Sequence, residues 1–109
     1  MSAFVVPKSK VAEDRVVDEN RFAFQLEEGG PEFSVPKMEF LSRPATKYLT
    51  ASYAKTTEAD LVRGLIEIEC PDAFPVVDEM EDDQAIELSV AWAAASKVDA
   101  GESEASAGS

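Results

Sequence analysis

Arg21-Phe22-Ala23-Phe24-Gln25-Leu26-Glu27-Glu28-Gly29-Gly30-Pro31-Glu32-Phe33-Ser34-Val35-Pro36-Lys37 is the stretch on which the reading of this chain turns. Phe22, Phe24 and Leu26 alternate with Arg21, Ala23 and Gln25, a period of two that marks a half-buried strand. Paired glycines before a proline then signal a turn. Phe33 and Val35 fall on one face again before Pro36, which cannot donate to a ladder and stops it. These features predict a β-hairpin with strands over Arg21–Leu26 and Glu32–Lys37. A lone hairpin is marginal in water, so the Phe22/Phe24/Phe33 face must rest on something else.

Beyond the hairpin the pattern is helical. Ser42-Arg43-Pro44 can open a helix, with Ser42 as cap and proline tolerated in the first turn, and Tyr48, Leu49, Ser52 and Tyr53 recur at helical spacing. Thr57-Glu58-Ala59-Asp60 resembles a capping box, with acids where the positive end of the helix dipole favours them. Leu61, Leu65 and Ile68 then recur at i, i+4, i+7, flanked by Val62 and Ile66. Gly64 costs about 1 kcal/mol in such a helix and so marks a close helix packing. Cys70-Pro71 ends it, because the residue before proline is pushed out of the α region. Asp72 to Met80 reads as a turn or short helix that packs Phe74, Val77 and Met80 inward. Glu81-Asp82-Asp83 begins a last helix in which Ala85, Leu88, Trp92 and Ala95 form one stripe and Ile86, Val90 and Ala93 a neighbouring one. Trp92, in so small a chain, is expected in the core. No internal repeat is visible.

The expected architecture is therefore α+β, mainly α, with an N-terminal β-hairpin packed on three or four short helices. The 109 residues make one domain over 21–98. A mobile arm is expected over 1–20, and a disordered tail over 99–109, where DAGESEASAGS holds only small and acidic residues. A chain of this length buries only about 60–65% of its unfolded surface, so the core is modest.

The net charge is −12, and nearly all of it lies in one half. Residues 1–55 are balanced. Residues 56–96 carry Glu58, Asp60, Glu67, Glu69, Asp72, Asp78, Glu79, Glu81, Asp82, Asp83 and Glu87, with Arg63 as their single base. Such a field disfavours nucleic acid and anionic membranes as partners and favours solubility and basic protein partners. The plainer reading is that the acids solvate the outer faces of helices.

Chemistry-bearing patterns are sparse. With no histidine there is no imidazole base, no histidine-activated nucleophile and no histidine-held metal. Cys70, the one cysteine, precedes a proline and has no basic neighbour, so it reads as a small hydrophobe rather than a nucleophile. Gly29-Gly30 lacks the lysine and helix of a phosphate loop, and Asp78 to Asp83 lacks the glycine of a calcium loop. Neither catalysis nor a cofactor or metal is expected. No apolar run approaches the roughly 18 residues that span a bilayer, and MSAFVVPKSK has the wrong order for a signal peptide. These features point to a soluble, intracellular binding protein. The two long helices carry more apolar positions than a hairpin can cover. The surplus around Leu65, Ile68, Ile86 and Val90 is the candidate groove for a partner's amphipathic helix or a second copy of this chain.

Two stretches carry a resemblance. Phe33-Ser34-Val35-Pro36-Lys37 fits F-x-[VL]-P-K, and Ala91-Trp92 through Ala95-Ser96, Val98, Gly101-Glu102-Ser103 and Ala105-Ser106 fits A-W-x-x-A-S-x-V-x-x-G-E-S-x-A-S. In their order, spacing and chain length these are similar to tail assembly chaperones of long-tailed phages that infect actinobacteria, over about residues 22–106. The alanine-rich Ala91–Ala95 stretch and Pro75 fit that pattern more loosely. The resemblance implies a protein that binds the aggregation-prone tape measure protein in the host cell cytoplasm. It keeps that client soluble while tail subunits polymerise, and is absent from the mature virion. The major tail protein is a second implied partner, and a homo-oligomer a third arrangement. Such chaperones are commonly made in two lengths by programmed ribosomal frameshifting. The alternative from another class is an acidic nucleic-acid mimic that blocks a DNA-binding host protein. An acyl carrier protein would need an Asp-Ser-Leu carrier serine, which this chain lacks.

Overall fold

The computed structural model describes residues 3–96. The hairpin forms where the alternation placed it. Strands β1 (Arg21–Gln25) and β2 (Glu32–Pro36) pair antiparallel, with Phe22 opposite Val35 and Phe24 opposite Phe33. Gly29 has a φ of 81°, the left-handed conformation that lets the chain reverse. Phe24 stacks against Phe22 at 5.9 Å between ring centroids and lies 5.8 Å from Phe33, so the hairpin brings an aromatic face to the helices.

Five α-helices occur among the described residues: α1 (Lys10–Arg15), α2 (Arg43–Ser52), α3 (Glu58–Glu69), α4 (Phe74–Glu79) and α5 (Asp82–Ala95). The starts of α2 and α3 carry the expected caps. Ser42 Oγ accepts from the Ala45 N–H at 3.4 Å, and Thr57 Oγ1 from the Asp60 N–H at 3.1 Å. The reciprocal capping box falls instead at Glu81 and Gln84, at the start of α5. Cys70 ends α3 with φ −148° and ψ 72°, outside the helical region, as its proline neighbour demands.

Helix α3 is the hub, packing against α2, α4, α5 and β2. The buried core gathers Phe24 and Val35 from the hairpin, Ala45, Ala59, Val62, Leu65, Ile66, Val77 and Ala85 from the helices, and Trp92 at 0% exposure. Gly64 is required there. A Cβ on it would run into the ring end of Tyr48, so the missing side chain is what lets α2 and α3 approach.

The segment 1–20, expected as an arm outside the domain, carries α1 and a short 3-10 turn at Asp18–Asn20. The Arg15 guanidinium donates to the Phe40 carbonyl at 2.6 Å and the Leu41 carbonyl at 3.2 Å. Asn20 Nδ2 donates to the Asp14 carbonyl at 2.9 Å, and Arg21 Nη1 to the Arg15 carbonyl at 3.0 Å. A domain boundary drawn at Arg21 cuts through the bonds of Arg15 to Phe40 and Leu41 and of Arg21 to Arg15. The expected tail over 99–109, and the expected domain end at Val98, lie outside the described residues.

Candidate functional site

The four residues expected to line a groove do not share one surface. Leu65 is 3% exposed, a core residue, and a partner cannot reach it in this conformation. Ile68 is half-buried and packs on the same core. Ile86 and Val90 face solvent, at 37% and 54% exposure. Of the expected groove, Leu65 and Ile68 are thus taken up in the packing of α3, and the members that reach solvent lie on α5.

That helix has almost no amphipathic contrast. Ala85 and Trp92 point inward, while Ile86, Val90 and Ala93 sit on the outer side. Ser89, on the same outer arc as Ile86 and Val90, lines an open depression of about 550 Å³ together with Tyr53, Thr56, Glu58 and Leu61. Tyr53 is 73% exposed. The candidate docking face is therefore Tyr53, Leu61, Ile86 and Val90. Tyr53 and Leu61 look like ordinary helix positions in the sequence, since spacing does not say that they come together with Ser89 of α5.

Elsewhere, two depressions of about 490 and 360 Å³ share Leu26, Met80 and Gln84. The smaller runs along β1, between Phe22, Phe24 and Leu26 on the hairpin and Leu88 and Ala91 on α5.

The acidic half is organised around its one base. Arg63 Nη1 meets Asp60 Oδ1 at 3.0 Å and Asp82 Oδ1 at 2.8 Å, while its Nε donates to the Val77 carbonyl at 3.1 Å and its Nη2 to the Met80 carbonyl at 2.5 Å. The hydrogen bond to Asp82 is the main influence that raises its pKa above the ordinary value, with burial opposing. The side chain is 12% exposed and ties α3, α4 and α5 together. An arginine alone among so many acids was the signal for it.

The two stretches that carry the family resemblance meet in space. The Trp92 indole donates to the Pro36 carbonyl at 2.8 Å. Ser96 Oγ accepts from the Met38 N–H at 2.8 Å and donates to the Trp92 carbonyl at 2.9 Å. Among the described residues, no three histidine, cysteine, aspartate or glutamate side chains are grouped to hold a metal, and no helix is long and apolar enough to cross a membrane. Compared with protein families, with curated proteins and with solved structures, the chain matches none.

Proposed function

We propose that this chain works by binding rather than by catalysis, as a phage tail assembly chaperone that holds a tape measure protein soluble in the host cytoplasm. The observation that carries the reading is the junction of its two motif stretches. Pro36, Met38, Trp92 and Ser96 are joined by hydrogen bonds, so the first stretch and the described part of the second, up to Ser96, pack together. The exposed apolar arc of α5 supports it from the side of mechanism. Ile86 and Val90, with Tyr53 and Leu61 beside them, offer aliphatic and aromatic anchors at the i, i+4 spacing that reads a client helix. The surrounding acids add a field that keeps a loaded complex dispersed and steers encounter more than it sets affinity.

Co-expression with the tape measure protein of the same genome tests the reading. The soluble fraction of that client should rise, and Ile86→Glu combined with Val90→Glu should abolish the rise while leaving the circular dichroism spectrum unchanged. A client that stays insoluble with the wild-type chain overturns the chaperone reading. A double variant that still solubilises it moves the docking face away from α5. The nucleic-acid-mimic alternative predicts instead a DNA-binding partner that duplex DNA displaces with steep salt dependence.

A further inference from the structure

The pentapeptide of β2 occurs twice. Phe33-Ser34-Val35-Pro36-Lys37 is matched at four of five positions by Phe4-Val5-Val6-Pro7-Lys8. So short a repetition escapes a scan for structural units of roughly 20–50 residues, which corrects the expectation of no repeat. The two copies have opposite fates. In β2, Val35 and Pro36 are fully buried and Phe33 packs on Phe24. Near the N-terminus, Phe4, Val5 and Val6 lie outside any helix or strand and are 83%, 82% and 80% exposed. Three consecutive large apolar side chains in water are a liability unless something covers them.

The hairpin has one closed edge and one open edge. In an antiparallel ladder, alternate residues turn their backbone groups away from the partner strand. The Lys37 N–H donates to the Asn20 carbonyl, so Phe22 and Phe24 bond inward to β2, while Ser34 and Pro36 on β2, and Ala23 and Gln25 on β1, turn outward. The outer edge of β2 is blunted. Pro36 has no N–H, its carbonyl accepts from Trp92, and the Ser34 carbonyl accepts from Arg21 at 3.2 Å. Beyond β1 there is no further strand among the described residues, and Ala23 and Gln25 are exposed. The depression of about 360 Å³ lies alongside this open edge, floored by Phe22, Phe24, Leu88 and Ala91.

We infer that Phe4–Lys8 of a second copy of this chain adds as a strand to the open edge of β1. The segment repeats the side-chain pattern that already pairs with β1 from the other side. Laid antiparallel with Val5 opposite Ala23, it places Phe4 and Val6 on the Phe22/Phe24 face, over the depression. Pro7, opposite Arg21, has no N–H to offer that edge and so ends the added ladder. Main-chain bonds supply the affinity and the depression under Phe4 and Val6 the specificity, the usual division in strand addition. Reciprocal exchange between two copies uses the same surfaces on both and closes a twofold dimer. This inference is independent of the client, because it concerns the purified chain alone.

Mixing single-cysteine chains tests it. One carries Val5→Cys and Cys70→Ser; the other, enlarged by a tag, carries Ala23→Cys and Cys70→Ser. Oxidation of the mixture should give the mixed disulfide dimer well in excess of either like pair. In sedimentation equilibrium, the wild-type chain should dimerise, and Phe4→Asp with Val6→Asp should weaken the dimer about a hundredfold or more, given the burial lost. Both positions lie outside the core, so at concentrations where the wild type is monomeric the double variant should melt as it does. A monomeric wild type, a dimer indifferent to Phe4 and Val6, or a mixed disulfide no commoner than chance would each overturn the inference. In a single chain bearing both cysteines, a disulfide confined within the monomer would overturn it too, by assigning the strand to its own copy.

Discussion

The Trp92 indole N–H reaches the Pro36 carbonyl across 2.8 Å and 56 residues of sequence, and both residues are fully buried. Pro36 makes this possible. As the last residue of β2 it turns its carbonyl to the outer edge of the hairpin, where no third strand among the described residues donates to it. Trp92, on the inner side of α5, supplies the missing donor and seals the edge with its ring. One hydrogen bond thereby joins the hairpin to the last helix, the two ends of the described core.

Trp92→Phe keeps a ring in the core but leaves the Pro36 carbonyl buried without a donor. It should cost about 1–3 kcal/mol, and Trp92→Ala about 3–5 kcal/mol. Urea denaturation checks both. Equal stability of Trp92→Phe and the wild type would mean that the indole bond contributes nothing.

Gly64→Ala has opposing effects whose sum can be tested by sign. Alanine favours the helix by about 1 kcal/mol. Its methyl group, however, displaces the Tyr48 ring, whose hydroxyl donates to the Asp60 carbonyl at 3.2 Å. The displacement should win by about 1–2 kcal/mol. In a Tyr48→Ala background the same substitution should stabilise, and thermal melts of the four chains of this cycle decide it.

Arg63→Lys keeps the charge but loses the fork that meets two carbonyls and two carboxylates at once. The loss should be about 1–3 kcal/mol. Asp60 and Asp82 have side chains 62% and 76% exposed, so the ion pairs are screened and the carbonyl bonds carry most of the effect. The same destabilisation should therefore be measured at low and at high salt. A loss that vanishes in salt would assign Arg63 a purely ionic role.

Much of this fold was legible because its signals are local. The period of two in RFAFQL, the Ser42 and Thr57 caps and the Cys70-Pro71 stop each depend on neighbours a few residues away, and each element begins or ends within a residue or two of where they place it. The place of Trp92 in the core was legible as well. What was not legible depends on long-range partners. Leu61 and Leu65 share the same helical pattern, yet only Leu65 is buried. Arg15 looks like any exposed arginine until Phe40 and Leu41 bring their carbonyls to it.

Removing that tie has a local readout. Arg15→Ala should cost about 1–2 kcal/mol and, more tellingly, open Lys10–Arg21 to proteases while the hairpin and α3 stay protected. Mass spectrometry of early fragments would show it. Identical early cleavage in both chains would mean that the guanidinium bonds do not hold α1 in place.

The last prediction separates the core from the docking face on two neighbouring helices. Leu65→Ala removes a side chain that is 3% exposed and should cost about 2–5 kcal/mol. Ile86→Ala and Val90→Ala trim side chains that are 37% and 54% exposed, and each should cost less than about 1 kcal/mol. Partner capture should show the reverse order. Under conditions where every variant is folded, Leu65→Ala should retain the client, whereas Tyr53→Ala, Ile86→Ala and Val90→Ala should weaken it, because only their side chains reach solvent on that face. Stability and binding are measured on the same preparations, so a general loss of fold cannot imitate the pattern. If Leu65→Ala is harmless to stability, or if it alone abolishes capture in a folded chain, then α3 rather than α5 carries the docking face.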